Sequence, residues 1–402
     1  MSNKINSKND LIKLKFKNIP IGEYIYDNYL RRYNKITINI ASDHFKEYLR
    51  DSLKLTYFWF HELNPKFIKA VIISHTNYLM GLVGVIATYR NIPTYRVSLS
   101  SSFCLSKKKP KSFDDFMEYP KIINSIDSKI KKFHMKNAEK KITKYFLNKT
   151  SFKPIKKKIK KGNRLNVLVS SHCFTDAVHV HGIKNCFEDY YEWIDYLGKL
   201  SNKISHNWLI KLHPSEYDNN KSKMEYFLNK YPNLKLLPKN TKNIDLIKSI
   251  DIVLTVYGSV GREFPLFGIP VINASKCGPH SGYNFNYHFD NLKSYQKATE
   301  QLEKYIKNFK IKKKEIFEFF YLRYSLDFSF LYNSDYINNI NEYLRINNID
   351  PVNIVEIWLT KVNHSTRLEI LNQVKKFINS KQYRFTANNN SKFSSFIEIM
   401  EN

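Results

Sequence analysis

The segment Thr255-Val-Tyr-Gly-Ser-Val-Gly-Arg-Glu-Phe-Pro-Leu-Phe-Gly-Ile-Pro-Val-Ile272 runs from apolar to glycine-rich and back to apolar. The apolar stretch Ile252–Val256 reads as a buried parallel strand. Gly258-Ser259-Val260-Gly261 follows, then a short helix, then a second strand at Ile269–Ile272. The chain holds only eleven glycines in 402 residues, and five of them lie between Gly258 and Gly282. Glycine used so sparingly marks sharp turns or close approaches of backbone to a ligand. A glycine turn between a strand and a helix N-terminus offers free N–H groups and the positive end of the helix dipole to a phosphate. The same short motif also serves a plain tight turn.

Upstream lies Trp208-Leu-Ile-Lys-Leu-His213-Pro214, a strand that ends in His-Pro. Proline restricts the preceding residue to extended backbone, so His213 stands at the carboxyl end of that strand. Open α/β sheets bind ligands at this edge. Strands and helices alternate through most of the chain. In the first part, helices are expected over Gly22–Tyr33, Asp43–Leu63 and Leu79–Tyr89, with strands at Ile36–Ile40, Ala70–Ser74 and Pro93–Val97. Phe113–Leu147 reads as a helical connection, and the lysine-rich Pro154–Gly162 as a boundary. Asn166–Ser170, Leu209–Leu212, Leu234–Leu237, Ile252–Val256 and Ile269–Ile272 form a second set of strands. This alternation implies right-handed βαβ units and parallel sheets. The expectation is an α/β protein with two Rossmann-like domains facing across a cleft, residues 1–150 and 163–300. A helical C-terminal region follows over 301–402, with its last twenty residues weakly ordered.

Composition bounds the function. Hydrophobic residues make up 43% of the chain, which argues against disorder. Formal charge is 65 − 36 = +29. Abundant Lys, Asn, Ile, Tyr and Phe point to an A/T-rich coding bias as part of the cause. The remainder fits an anionic partner, either a membrane surface or an acidic sugar or phosphate. No recognition motif or aromatic–basic interleave accompanies the charge, so a nucleic-acid partner is not expected. The four cysteines form no C-x-x-C pair and fit a reducing compartment. The polar Met1–Asn9 lacks a signal core, and no stretch reads as a membrane span. The expected location is cytoplasmic, with peripheral attachment at the inner face of the cell membrane.

The candidate chemistry sits in the second half. His172 and Asp176 follow its first strand, Lys211 and His213 its second, and Gly258, Ser259, Val260 and Gly261 its glycine turn. Glu263 lies in the helix beyond. A cation, an imidazole and a helix N-terminus around one point hold a phosphate or diphosphate. Glu263 is placed to accept from ribose hydroxyls. His172, His179 and His181 count as a metal set only by number, and no metal is expected. Asp114-Asp115 reads as surface charge.

Lys211-Leu-His213-Pro214, followed by Gly258-Ser-Val-Gly-Arg-Glu263-x-Pro265-x-x-Gly268-x-Pro270, resembles bacterial capsule and surface-polysaccharide biosynthesis proteins of the GT-B glycosyltransferase fold. Ile21-Gly22-Glu-Tyr-Ile-Tyr26-Asp27-x-Tyr29-Leu-Arg31 is similar to an N-terminal motif of the same group. So are Ser171-His172-x-Phe174-x-Asp176 and Asp189-Tyr-Tyr-Glu-Trp193. The resemblance covers roughly residues 20–300. It implies a metal-independent glycosyltransferase with no cofactor, the nucleotide-sugar donor being a substrate. The second domain would hold the donor, and the first would present a glycan or lipid-linked glycan acceptor. Lys211, His213 and the turn would neutralise the leaving phosphate, and Asp176 is the candidate base, with Asp27 or Glu23 as alternatives. A nucleotide-sugar epimerase, a polyol-phosphate transferase, a non-catalytic scaffold and a nucleic-acid binder are the competing functions.

Overall fold

The computed structural model describes residues 5–97, 102–147, 164–215, 217–324 and 364–385. The lysine run at Pro154–Gly162 lies outside them. The chain opens with helix α1 (Lys8–Ile12), a hairpin of β1 (Lys15–Phe16) and β2 (Ile19–Pro20), and helix α2 (Gly22–Arg32). A Cβ at Gly22 would fall 1.7 Å from the Leu11 carbonyl oxygen, so only glycine lets α1 close on α2. Helix α3 (Asp43–Glu62) starts at Ser42, whose Oγ accepts from Phe45 N–H at 3.3 Å. Strand β3 (Val71–Ile73), helix α4 (Tyr78–Tyr89), and strands β4 (Thr94–Val97) and β5 (Ser102–Leu105) follow. Helices α5 (Tyr119–Ser125) and α6 (Ser128–Leu147) then lead toward the second half.

The first sheet departs from expectation. It has three strands in the order β3-β4-β5, with β4 parallel to β3 and antiparallel to β5. Ile36–Ile40 is not a strand. Its Thr37 hydroxyl instead donates to Asp189 at 2.6 Å, drawing the segment onto the second half of the chain. The first part is therefore a small mixed sheet with helices, not a Rossmann-like unit.

The second sheet is built from β6 (Asn166–Ser170), β7 (Asn207–Lys211), β8 (Leu234–Leu236), β9 (Ile252–Thr255), β10 (Val271–Asn273) and β11 (Tyr287–His288). Spatially they run β8-β7-β6-β9-β10-β11, every pair parallel. That is the doubly wound order 3-2-1-4-5-6, with its topological switch between β6 and β9. All four residues of β9 are buried, as a central parallel strand covered on both faces requires. Helices α7 (Tyr190–Lys203), α8 (Tyr217–Lys230), α9 (Asn243–Leu246) and α10 (Val260–Glu263) connect these strands. Helices α11 (Leu292–Glu300), α12 (Leu302–Asn308) and α13 (Lys313–Tyr324) come after them, and α14 (His364–Ser380) lies near the end.

One apolar core runs through both halves, joining Leu30 and Val85 to Trp193, Trp208 and Leu254. A second cluster packs Tyr119 and Ile123 of α5 with Phe319 of α13 against Val253 and Val271. A polar seam accompanies the first core. Asp189 caps α7 by accepting from Glu192 N–H at 2.9 Å, and its other oxygen takes Tyr26 Oη at 2.6 Å and Lys8 Nζ at 3.1 Å. A cap of this kind contributes about 1 kcal/mol.

Asp114 and Asp115 are not surface charges. Asp115 is buried and held by Arg384, whose Nη2 and Nε lie 2.7 and 3.0 Å from its two oxygens. Burial raises the Asp114 carboxyl to about 7. Arg384 reaches Asp115 because Tyr383–Phe385 pair with the edge of β5, Cys104 N–H donating to Tyr383 O and Phe385 N–H to Ser102 O. The expectation of weak order in the last twenty residues is thus corrected at Tyr383–Phe385. The residues beyond Phe385 lie outside the described set.

Candidate functional site

The switch point between β6 and β9 is where the loop residues converge. His172 follows β6, and its Nε2 lies 3.2 Å from Thr255 Oγ1 and accepts from Tyr257 N–H at 3.5 Å. Its ring stacks on Tyr190 at 4.6 Å with an interplanar angle of 5°. Enclosure pushes its pKa down to about 3, with His213 adding to the effect, so the ring is neutral. Because Nε2 accepts, the ring proton sits on Nδ1. His172 therefore joins the ends of the two central strands. Thr255, Tyr190 and Tyr257, which complete this junction, were not singled out in the sequence. Only Thr255, at the carboxyl end of a central strand, carried a signal that could have found it.

His213 and Lys211 stand at the end of β7. Asn220, fully buried, ties the loops together by accepting from Phe174 N–H at 3.1 Å and donating to Ser215 O at 3.1 Å. Ser215 N–H donates to His213 Nδ1 at 3.2 Å. In the neutral ring the proton is therefore on Nε2, the free side. Burial lowers the His213 pKa, Asp176 opposes that shift and Lys211 reinforces it. Burial also lowers the Lys211 pKa, against the attraction of Glu263. Lys211 Nζ makes no hydrogen bond or ion pair with any described residue.

Asp176 lies at the mouth, with 61% of its side chain exposed. Its Oδ1 accepts from Tyr78 Oη at 2.6 Å and from Ala177 N–H at 2.8 Å, with Arg31 Nη1 at 3.9 Å. Its Oδ2 takes no donor among the described residues. Tyr78 is the first residue of α4 and has a left-handed backbone, φ 56°. The first half of the chain thus holds one oxygen of a carboxylate that the second half supplies.

The glycine turn is tighter than the sequence implied. Helix α10 is a single turn, continued by a 3₁₀ turn over Phe264–Phe267. Neither Gly258 nor Gly261 has positive φ. A Cβ at Gly261 would fall 2.7 Å from His280 Nδ1, and one at Gly258 would fall 2.8 Å from Thr255 Oγ1. Close packing, not backbone freedom, requires glycine at both positions. Gly258 N–H donates to Thr255 Oγ1, Gly261 N–H to Gly258 O, and Arg262 N–H to Ser259 O. The N–H groups of Ser259 and Val260 have no acceptor among the described residues. Glu263 accepts from Asn243 Nδ2 at 2.5 Å, which orients its carboxylate beside Lys211.

The structure thus brings together His172, Asp176, Lys211, His213, Ser259 and Glu263, and it moves other candidates out. Asp27 and Glu23, the alternative bases, are buried and their carboxylates are engaged by neighbouring donors. Asp27 accepts from His179 Nδ1 at 2.7 Å and His179 N–H at 3.0 Å, and Glu23 pairs with Lys111 at 2.7 Å. His181 packs edge-on to Tyr257 and Phe116. Among the described residues no group of three His, Cys, Asp or Glu side chains is arranged to hold a metal ion. No described helix is long and apolar enough to cross a membrane.

No known family model matches the chain, and no curated protein matches it. Solved structures do. The beta Kdo 2,7 transferase KpsC of Thermosulfurimonas dismutans is similar at TM-score 0.40 and 14% identity, over 76% of this chain and 87% of that one. The beta Kdo 2,4 transferase KpsC of the same organism is similar at TM-score 0.37 and 13% identity, over 62% and 78%. The UDP-GlcNAc 2-epimerase of Neisseria meningitidis, bound to UDP-GlcNAc, is similar at TM-score 0.27 and 14% identity, over 65% and 77%. Identities and scores this low leave the chemistry to be argued from this chain's own residues.

Proposed function

We propose that the protein is a glycosyltransferase that moves a sugar from a nucleotide-sugar donor to a surface-polysaccharide or lipid-linked glycan acceptor. The observation that carries this reading is the half-buried Lys211 ammonium, unpaired and adjacent to the free Nε2–H of His213, at the carboxyl edge of a doubly wound sheet. Burial of this cation is costly, the nearby Glu263 carboxylate offsets only part of that cost, and a bound phosphate would remove the rest. In this reading the donor lies across the β6–β9 switch point. Lys211, His213 and the N–H groups of Ser259 and Val260 face its phosphate, and Glu263 faces the ribose.

The transfer step follows from those positions. An acceptor hydroxyl attacks the anomeric carbon, and the bond from that carbon to the phosphate oxygen breaks. The electron pair leaves with the phosphate, where Lys211 and His213 stabilise it. Asp176 takes the acceptor proton on Oδ2, since its Oδ1 is held by Tyr78 and Ala177. The acceptor enters from the side of α4, across a cleft between the two parts of the chain. The protein itself supplies the charge, so the transfer is metal-independent in this proposal. It acts in the cytoplasm at the inner face of the cell membrane.

The test is a thermal-shift panel with CMP, CDP, UDP, GDP and ADP. A ligand at a hundred times its dissociation constant stabilises by about 2.7 kcal/mol, a shift of several degrees. A shift with one nucleotide that is lost in Lys211→Ala supports the donor site. No shift with any nucleotide refutes it. Isomerisation of the matching nucleotide sugar without acceptor would make the protein an epimerase instead.

A further inference from the structure

We propose that the outward face of α6 is a docking surface for an anionic membrane. The helix carries seven lysines and one acid, Glu139. Met135 and Ala138 turn inward onto the cluster that contains α13, and Lys131 pairs with Glu318 of α13 at 3.5 Å. Lys129, Lys132, Lys136 and Lys140 are all exposed, and so is Phe133, at 62%. At 3.6 residues per turn these five positions fall within an arc of about 100°, along about 16 Å of helix. None of the four lysines is in an ion pair with a described residue.

The lysine-rich composition of the chain does not account for this stripe. Helix α3 has the same length, twenty residues, and on its exposed surface Lys46, Arg50 and Lys54 are outnumbered by Asp43, Glu47, Asp51 and Glu62. Charge on α3 is mixed, whereas α6 exposes four lysines in one stripe against a single acid, Glu139, at the stripe's edge beside Lys132. The ring of Phe133 chooses among polyanions. A soluble acidic polymer offers it no apolar phase, while the headgroup–acyl boundary of a bilayer takes up an aromatic ring flanked by lysines. No described helix can cross a membrane, so the contact is at the surface. The proposal stands independently of the transfer reading.

The test is co-sedimentation of the full chain with phosphatidylcholine vesicles carrying about one-third phosphatidylglycerol. The protein is expected to bind these, more weakly as salt is raised, and not to bind vesicles of phosphatidylcholine alone. Each stripe lysine changed to alanine should cost about fivefold in affinity, and all four together several hundredfold. A charge-matched control with Lys221, Lys235, Lys248 and Lys293 changed to alanine should keep most of the binding. Phe133→Ser should weaken vesicle binding but leave retention on heparin unchanged. Circular dichroism checks folding, and Lys136→Glu alone keeps the test decisive should the fourfold variant misfold. Equal binding by the stripe and control variants overturns the proposal. So does equal binding to neutral vesicles, or a Phe133→Ser variant with undiminished vesicle affinity, which would make the partner a soluble polyanion.

Discussion

His213 is expected to serve the donor phosphate as a neutral hydrogen-bond donor, and two substitutions separate that role from proton transfer. Ser215 N–H occupies Nδ1 at 3.2 Å, so the ring presents Nε2–H on its free side. Burial holds the pKa below 6.5, and the neighbouring Lys211 also disfavours protonation. A hydrogen bond to a charged acceptor contributes about 1.5–3 kcal/mol, so His213→Ala should weaken nucleotide affinity about 10- to 150-fold. His213→Gln places an amide N–H at similar reach and should recover most of that loss. The assay is isothermal titration with the nucleotide that the thermal-shift panel selects, repeated across pH. Wild-type affinity should be level from neutrality upward and rise as pH falls through the lowered imidazole value, because protonation adds a cation facing the phosphate. The His213→Gln variant should lack that rise, and comparing the two removes the ligand's own titration. If His213→Gln binds as poorly as His213→Ala, and wild-type affinity changes around neutral pH, the ring acts through its proton and the reasoning is wrong.

Gly261→Ala would put a methyl group 2.7 Å from His280 Nδ1 and 2.9 Å from Asn286 Nδ2, and should destabilise the fold by about 1–3 kcal/mol in urea titration. Wild-type stability would contradict the close-packing account of that glycine. His179→Ala removes the Nδ1 bond to the buried Asp27 carboxylate, leaving it the backbone N–H of residue 179, and should cost about 1.5–3 kcal/mol, measured the same way. A loss of activity at unchanged stability would return Asp27 to the catalytic candidates. Asp114 has a raised folded-state pKa, so the native state binds more protons than the unfolded chain between pH 3.8 and about 7. Stability should therefore fall as pH rises through that window, by an amount on the order of a few kcal/mol. Asp114→Asn should flatten this slope, and denaturation midpoints between pH 4 and 8 check it.

The second sheet was legible because its strands are short apolar runs bounded by turn signals, as in Ile252–Val256 and Asn166–Ser170. The first sheet was not, because Ile36–Ile40 has strand-like composition but its Thr37 is bound to Asp189, a contact spanning 152 residues. Strand β5 was missed because Ser102-Phe-Cys-Leu105, although it pairs with the neighbouring β4, also takes its outer partners from Tyr383–Phe385, far away in the sequence. The position of Lys211 and His213 at the carboxyl end of β7 was readable from the His-Pro turn. The turn at Gly258–Gly261 was located correctly, but its glycines answer to His280 and Thr255, and sequence does not show what a missing Cβ would strike. Asp114-Asp115 failed for the same reason, since Arg384 lies 269 residues away in the chain.

The paired motifs gain a physical meaning once the two halves are in contact. Tyr26 and Asp27 of the first motif meet Asp189 and His179 of the second half, and Arg31 with Tyr78 meets Asp176. Most of this seam is structural, because Asp27, Asp189 and His179 are buried and their hydrogen bonds satisfied within it. Its outer end differs. At Asp176 the same seam reaches solvent, and one carboxylate oxygen is held while the other is open. A buried, fully bonded row of contacts fixes the position of the loop after β6, and the loop then presents Asp176 at the rim with its Oδ1 held by Tyr78 and Ala177. Preorganisation of that kind is what a positioned base requires. In the proposed mechanism it also separates two roles within one short stretch, His179 for assembly and Asp176 for proton transfer. A change at His179 should therefore act on stability first, and on transfer only through the displacement of Asp176.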